Sequence, residues 1–132
     1  MSLSYEEKSA LMQLQLEKGA SCLEQADKVL ELGMYDNAMN RYYYACFHVV
    51  MALFIKEGIN AHRHRGMLIQ FSLHFVKTGR ISTSMGAILS RLEQMREAAD
   101  YNCHYNVTEE EVLSIQPKAK EFYETIVKLI KE

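Results

Sequence analysis

A chain of 132 residues with 48% apolar and 24% charged residues has the length and balance of one globular domain with a buried core. One proline and six glycines leave little material for a β-sandwich, and the longest apolar run, Val49 to Ile55, is far short of the ~20 residues of a membrane span. The net charge of −2 hides an asymmetry: the 35 residues between Glu57 and Glu93 hold no Asp or Glu but do hold Arg63, Arg65, Lys77, Arg80 and Arg91, leaving −7 on the remainder.

Five helices are predicted in chain order. Ser4 with Glu7 forms a capping-box start, and Gly33 suits the end of the first helix. Within it Met12, Leu16, Gly19, Leu23, Ala26 and Leu30 make one apolar stripe at steps of three and four. Asp36 is placed to cap a second helix that runs to Gly58. A short third helix starts near Arg63, turns Leu68, Phe71 and Phe75 inward, and stops at Gly79. Ser82, Thr83 or Ser84 caps a fourth, with the stripe Met85, Ile88, Leu92, Met95 and Ala99. Thr108 with Glu111 repeats the capping box and opens a fifth, striped by Val112, Ile115, Ala119, Phe122, Ile126 and Leu129. Pro117 is expected to kink that helix or delay its regular start. Four long amphipathic helices, one short one and short connections specify an all-α fold: an antiparallel four-helix up-and-down bundle with one additional short helix, spanning residues 1–132 as one domain.

The second helix breaks the surface-helix pattern. From Tyr42 to Ile55 it is apolar around nearly its whole circumference. Either a second copy of the chain covers its outer side or it is the central rod of the bundle; a homodimer is the favoured expectation. Cys22, Cys46 and Cys103 form an odd set without metal-like spacing and read as reduced, mostly buried thiols. With a polar, acidic opening from Met1 to Glu7, they point to a cytoplasmic protein with no membrane contact, no metal and no cofactor.

Three constellations carry candidate chemistry. Arg41, Tyr44 and His48 share a stripe with Met51 and Ile55, where a guanidinium and an imidazole need partners or line a pocket for nucleotide phosphate. Arg96, Asp100 and His104 fall within an arc of roughly 80° if the fourth helix continues that far. Arg96 would hold a phosphate and His104 move a proton, the minimum for metal-free RNA cleavage through the 2′-hydroxyl. His62, Arg63, His64 and Arg65 open the third helix inside the acid-free window, where a phosphate-binding loop is more plausible than a two-ligand metal site. The window is expected to form one positive surface beside Arg96. Arg41 is expected to be buried and paired with Asp100, and Arg96 to flank its stripe at the surface.

Several of these residues form a familiar pattern. Asn40-Arg41-Tyr42-Tyr43-Tyr44-Ala45-Cys46-Phe47-His48 resembles the second helix of the HEPN domain family. His64-Arg65-Gly66 with Phe71, Phe75-Val76-Lys77 and Gly79 resembles its next element. Arg96-Glu97-Ala98-Ala99-Asp100-Tyr101 is similar to the R-x-x-A-D-Y signature of a small, stand-alone branch. The resemblance covers about residues 10 to 128. It implies a dimeric helical bundle that binds nucleotide or RNA phosphate, often beside a nucleotidyltransferase as a toxin–antitoxin pair. The constellations and motifs together put Arg96, Asp100, Tyr101, Arg41, Tyr44, His48, Arg63, His64 and Arg65 at the expected binding site, and the resemblance makes Tyr101 and Tyr105 candidate acceptors of nucleotide groups from the partner. The alternative it implies is an active metal-independent ribonuclease toxin using Arg96 and His104. Seven residues separate that pair, whereas the family's ribonucleases space Arg and His by four to six. Arg41 and His48 have six between them but sit on the wrong helix for that motif.

Overall fold

The structure is a computed structural model that describes residues 3–132. It contains α1 (Tyr5–Glu31), α2 (Tyr35–Glu57), α3 (His64–Phe71) with a π-helical continuation (Ser72–Val76), α4 (Thr83–Tyr101) and α5 (Glu109–Lys131). Both predicted capping boxes form, Ser4 with Glu7 and Thr108 with Glu111, and each satisfies two orphan backbone donors at its helix start. Of the three candidate caps for α4, Ser82 is the one whose side chain accepts from the Met85 N–H.

Partners along the helices set their directions. Asp27 meets Tyr42 while Gln15 meets His48, so α1 and α2 run antiparallel. Asn40 meets Asp100, so α4 opposes α2. Tyr35 meets Glu109 and Lys56 meets the Leu129 and Ile130 carbonyls, so α5 runs parallel to α2 across the bundle. This is the predicted up-down-up-down order, with α3 between α2 and α4. Gly19 sits where α1 crosses α2: a Cβ there would lie 3.2 Å from both the Ala45 carbonyl oxygen and the Tyr123 ring.

The apolar girth of α2 has a different cause from the favoured one. α1, α4 and α5 of the same chain enclose it, and Met39, Tyr42, Tyr43, Cys46, Val49, Val50, Leu53 and Phe54 are wholly buried without a second copy. α2 is the central rod, which removes its pattern as an argument for dimerisation. Burying each large side chain contributes about 1.5–3 kcal/mol, which is why its sequence reads apolar all round.

Three element boundaries differ from expectation, and Pro117 does not delay the start of α5. Met34, not Asp36, occupies the position before α2; Asp36 lies in the first turn and accepts from the Val107 N–H, tying α2 to the α4–α5 loop. α3 ends in its π-helical turn at Val76, short of Gly79, whose φ of 81° belongs to the following turn. α5 starts directly after Thr108 and runs through Pro117 as one element; Leu113, whose carbonyl loses its partner there, is exposed. α4 stops at Tyr101, because Asn102 adopts an extended backbone, so the helical arc never reaches His104. Cys22, Cys46 and Cys103 are free thiols, the first two buried and the third exposed. No helix among the described residues is long and apolar enough to cross a membrane.

Candidate functional site

The site grows from three consecutive tyrosines of α2. At about 100° per residue they point to different neighbours. Tyr42 faces α1 and α5, where its hydroxyl donates to Asp27, which also accepts from Gln116 (3.0 Å) and Lys120 (2.9 Å). Burial opposes the charge of Asp27, but these three donors outweigh it and hold its carboxyl below the usual range. Tyr43 faces α3 and α4, where its hydroxyl lies 2.5 Å from His64 Nδ1. Burial first, then the nearby Glu93 carboxylate, push that hydroxyl far above the ordinary phenol range. Tyr44 is half-buried between them, with Arg41 5.4 Å and Arg96 5.9 Å from its ring centroid.

Arg96 is the centre of the second cluster, and its role is the opposite of the expected one. It is only 4% exposed, donates to Glu93 Oε1 at 2.7 Å and lies 3.5 Å from Asp100 Oδ2. Its guanidinium sits 5.1 Å from the Tyr43 ring centroid and 5.9 Å from that of Tyr101. Burial works against its charge, yet the Glu93 bond and charge raise its pKa above the ordinary guanidinium value. Arg96 lies under Tyr43 and Tyr44 of α2, a contact that the Met95 stripe alone does not reveal. Glu93 is 8% exposed; its Oε2 has no hydrogen-bond partner and stands 4.0 Å from His64 Nδ1.

Arg41 is not paired with Asp100. Its guanidinium donates to Asn40 Oδ1 (2.7 and 3.0 Å), Gln25 Oε1 (3.4 Å) and Cys22 Sγ (3.5 Å), all uncharged acceptors. Asn40 Nδ2, not Arg41, donates to Asp100. Gln25, Asn40, Arg41 and Asp100 line an open groove of about 620 Å³ between α1, the start of α2 and the end of α4. His48 is a satisfied packing residue: its Nδ1 lies 2.8 Å from Gln15 Oε1, and burial, then the Lys18 and Arg41 charges, lower its pKa.

The acid-free window does not form one surface. Arg63 and Arg65 are exposed on either side of His64 and, among the described residues, form no ion pair. Arg80 instead clamps Glu57 at the far end of α2 (2.9 and 3.3 Å) and lies 4.8 Å from the Phe75 ring centroid. His104 is exposed in the turn after α4, where its backbone N–H donates to Asn102, and it shares no hydrogen bond with Arg96. Tyr101 is 76% exposed. Tyr105 donates to Glu111 at 2.5 Å, which with burial pushes its hydroxyl up to about 12.

Sequence reasoning missed Glu93 and Tyr43. Glu93 was visible as the first carboxylate after the acid-free run, one helical turn before Arg96. Among the described residues no group of three or more His, Cys, Asp or Glu is set to hold a metal ion.

The HEPN domain model matches residues 12–130. The chain belongs to the HEPN family. Its relatives include a Thermotoga maritima protein named "UPF0332 protein", 32% identical over 96% of both chains. Two Methanocaldococcus jannaschii proteins each carry the name "Putative toxin": one is 36% identical over 83% of this chain and 81% of its own length, the other 30% identical over 73% and 65%. The matched segment begins on α1 and ends on α5, so this HEPN domain contains every residue of the clusters around Tyr42, Tyr43 and Arg96.

Proposed function

We propose that this HEPN protein is a toxin-type module that binds single-stranded RNA or nucleotide phosphate, works as a homodimer and operates beside a nucleotidyltransferase partner. The observation that carries the reading is that Arg41, Arg63 and Arg65, three of the four arginines free of ion pairs among the described residues, stand unpaired in a chain whose net charge is −2. Half-buried Tyr44 and Phe47 lie along α2 between Arg41 and His64, the neighbour of Arg63 and Arg65, so arginines flank rings on which a base can stack. Arg96, held between two carboxylates, supports this surface from beneath rather than touching a ligand. The names of the two M. jannaschii relatives support the toxin setting, and the R-x-x-A-D-Y resemblance supports the partner. Of the two candidate nucleotide acceptors, Tyr101 is the exposed one, whereas Tyr105 commits its hydroxyl to Glu111.

Dimerisation draws support from α3, where Ile69 (51% exposed) and Leu73 (45% exposed) stand one turn apart beside half-buried Leu68 and Val76. Light scattering at tens of micromolar should give twice the chain mass; a monomer sinks that part of the reading. The binding part is tested by the salt dependence of affinity for a fluorescent oligonucleotide. Each phosphate contact contributes about 0.7 to the slope of log affinity against log salt for single strands. Arg63→Ala with Arg65→Ala should flatten the slope by about 1.4. No binding at low salt, or an unchanged slope, rejects the surface.

A further inference from the structure

We propose that the groove between α3 and α4 docks an acidic amphipathic helix of a partner protein, an interaction that goes beyond the RNA-binding reading. The groove holds about 220 Å³ and is lined by Leu68, Phe71 and Val76 on one wall and by Gly86, Ala87 and Leu89 on the other. Gly86 is what lets the walls meet. A Cβ there would lie 2.7 Å from Val76 Cγ2, so any side chain would push the π-helical turn off α4. With no side chain at 86 and one methyl at 87, α4 offers a shallow wall along which a third helix can lie. Ile69 and Leu73 do not line the groove and stay available to the second copy proposed above.

Charge names the occupant. Both walls come from the 35 residues between Glu57 and Glu93 that hold no Asp or Glu, so nothing in them repels a carboxylate. Arg65 in the first turn of α3 and Lys77 just after the π-helical turn are exposed. Neither forms an ion pair among the described residues. The two stand 12 residues apart, roughly 18 Å of helix, which matches about three turns of a partner. An apolar trough with a free cation toward each end is complementary to a helix with apolar anchors at i, i+3, i+4 and i+7 and Asp or Glu beside them. RNA fits this groove poorly. Phe71, the ring that lines it, is 2% exposed, so a base has no face to stack on.

The test titrates the whole protein into a fluorescein-labelled helical peptide of roughly 14 residues, or four turns, with Leu at the anchor positions and Glu between them. A twin peptide with Lys in place of every Glu is the control. The acidic peptide should bind, with an affinity that falls as salt rises, and the Lys twin should bind at least about tenfold more weakly. Ala87→Glu puts a carboxylate on an exposed position of the groove and should abolish binding of the acidic peptide with an unchanged thermal melt. Arg65→Glu with Lys77→Glu should reverse the preference, so that the Lys twin binds the more tightly, an exchange that damage to the fold does not produce. The mass and oligonucleotide affinity of Ala87→Glu, measured alongside, should match those of the parent.

An acidic peptide that does not bind the parent, twins that bind equally, or a preference that survives the double charge reversal overturns the proposal. A changed mass in Ala87→Glu assigns the groove to a second copy, and a lost oligonucleotide affinity assigns it to nucleic acid; either result overturns it as well. Should Ala87→Glu fail to fold, the charge reversal decides alone.

Discussion

Tyr42 and Tyr43 are neighbours in sequence, equally buried, and each meets a carboxylate, yet their surroundings are built to opposite ends. Around Tyr42 every polar group is matched: Asp27 takes three donors from α2 and α5 and ties both helices to α1. Around Tyr43 the matching is incomplete: Glu93 Oε2 and Arg96 Nε lack partners, and the accompanying imidazole reaches the surface. A closed network of this kind is a fastening, because nothing is gained by rearranging it. An open one keeps a second hydrogen-bond arrangement within reach, which is what a site that exchanges protons or ligands requires.

The sharpest way to break this contrast is Arg96→Ala. It strands a buried Glu93 carboxylate and should cost about 3–5 kcal/mol in urea unfolding. Arg96→Met with Glu93→Gln, which removes both charges, should recover most of that loss. A single substitution as mild as a surface change would show that the pair is not buried in solution.

On the other side of α2, Asp27→Asn should cost about 1–2 kcal/mol at pH 7, since the charge-assisted bond from Lys120 is lost while neutral bonds from Tyr42 and Gln116 survive. The pH dependence has a definite sign. The folded pKa of Asp27 is depressed, so its stabilisation is whole above the ordinary carboxylate value, about 4, and is lost as pH falls through the folded value. The gap between parent and Asp27→Asn should therefore close on acidification. A gap constant from pH 7 to about 3 would remove Asp27 from the network.

Tyr43→Phe should be milder, about 0.5–1 kcal/mol, because the hydroxyl it removes bonds a half-exposed imidazole and leaves no new buried group unpaired. The smallest effect on stability, within about 0.5 kcal/mol, is expected for Arg63→Ala with Arg65→Ala, two exposed side chains without ion pairs. Thermal melts ranked in this order would support one buried charge cluster beneath an exposed cationic surface. A large loss from the arginine pair would place those side chains inside the fold.

By itself the sequence determined the helices. Stripes at steps of three and four placed the buried face of α1, α4 and α5, and two capping boxes gave the starts of α1 and α5, because these signals depend on residues within a turn of one another. The motifs carried family membership by the same local route. Only the tertiary structure decided what covers each face. The apolar girth of α2 was compatible with a second copy or with three neighbours of its own chain, and the neighbours are what enclose it. Periodicity put Arg41 on an apolar stripe and Arg96 beside one, but burial follows from what packs against a flank. The tyrosines of α2 close over Arg96, while the start of α2 leaves a groove open beside Arg41. The positions of His104 and His64 follow from docking in the same way. The extended backbone of Asn102 turns His104 away from the end of α4, and a loop crossing from α2 brings His64, 32 residues before Arg96 in the chain, against Tyr43 and Glu93. Spacing along one helix constrains residues a turn apart, whereas a site assembled from three helices depends on their docking, which no single stretch of chain encodes.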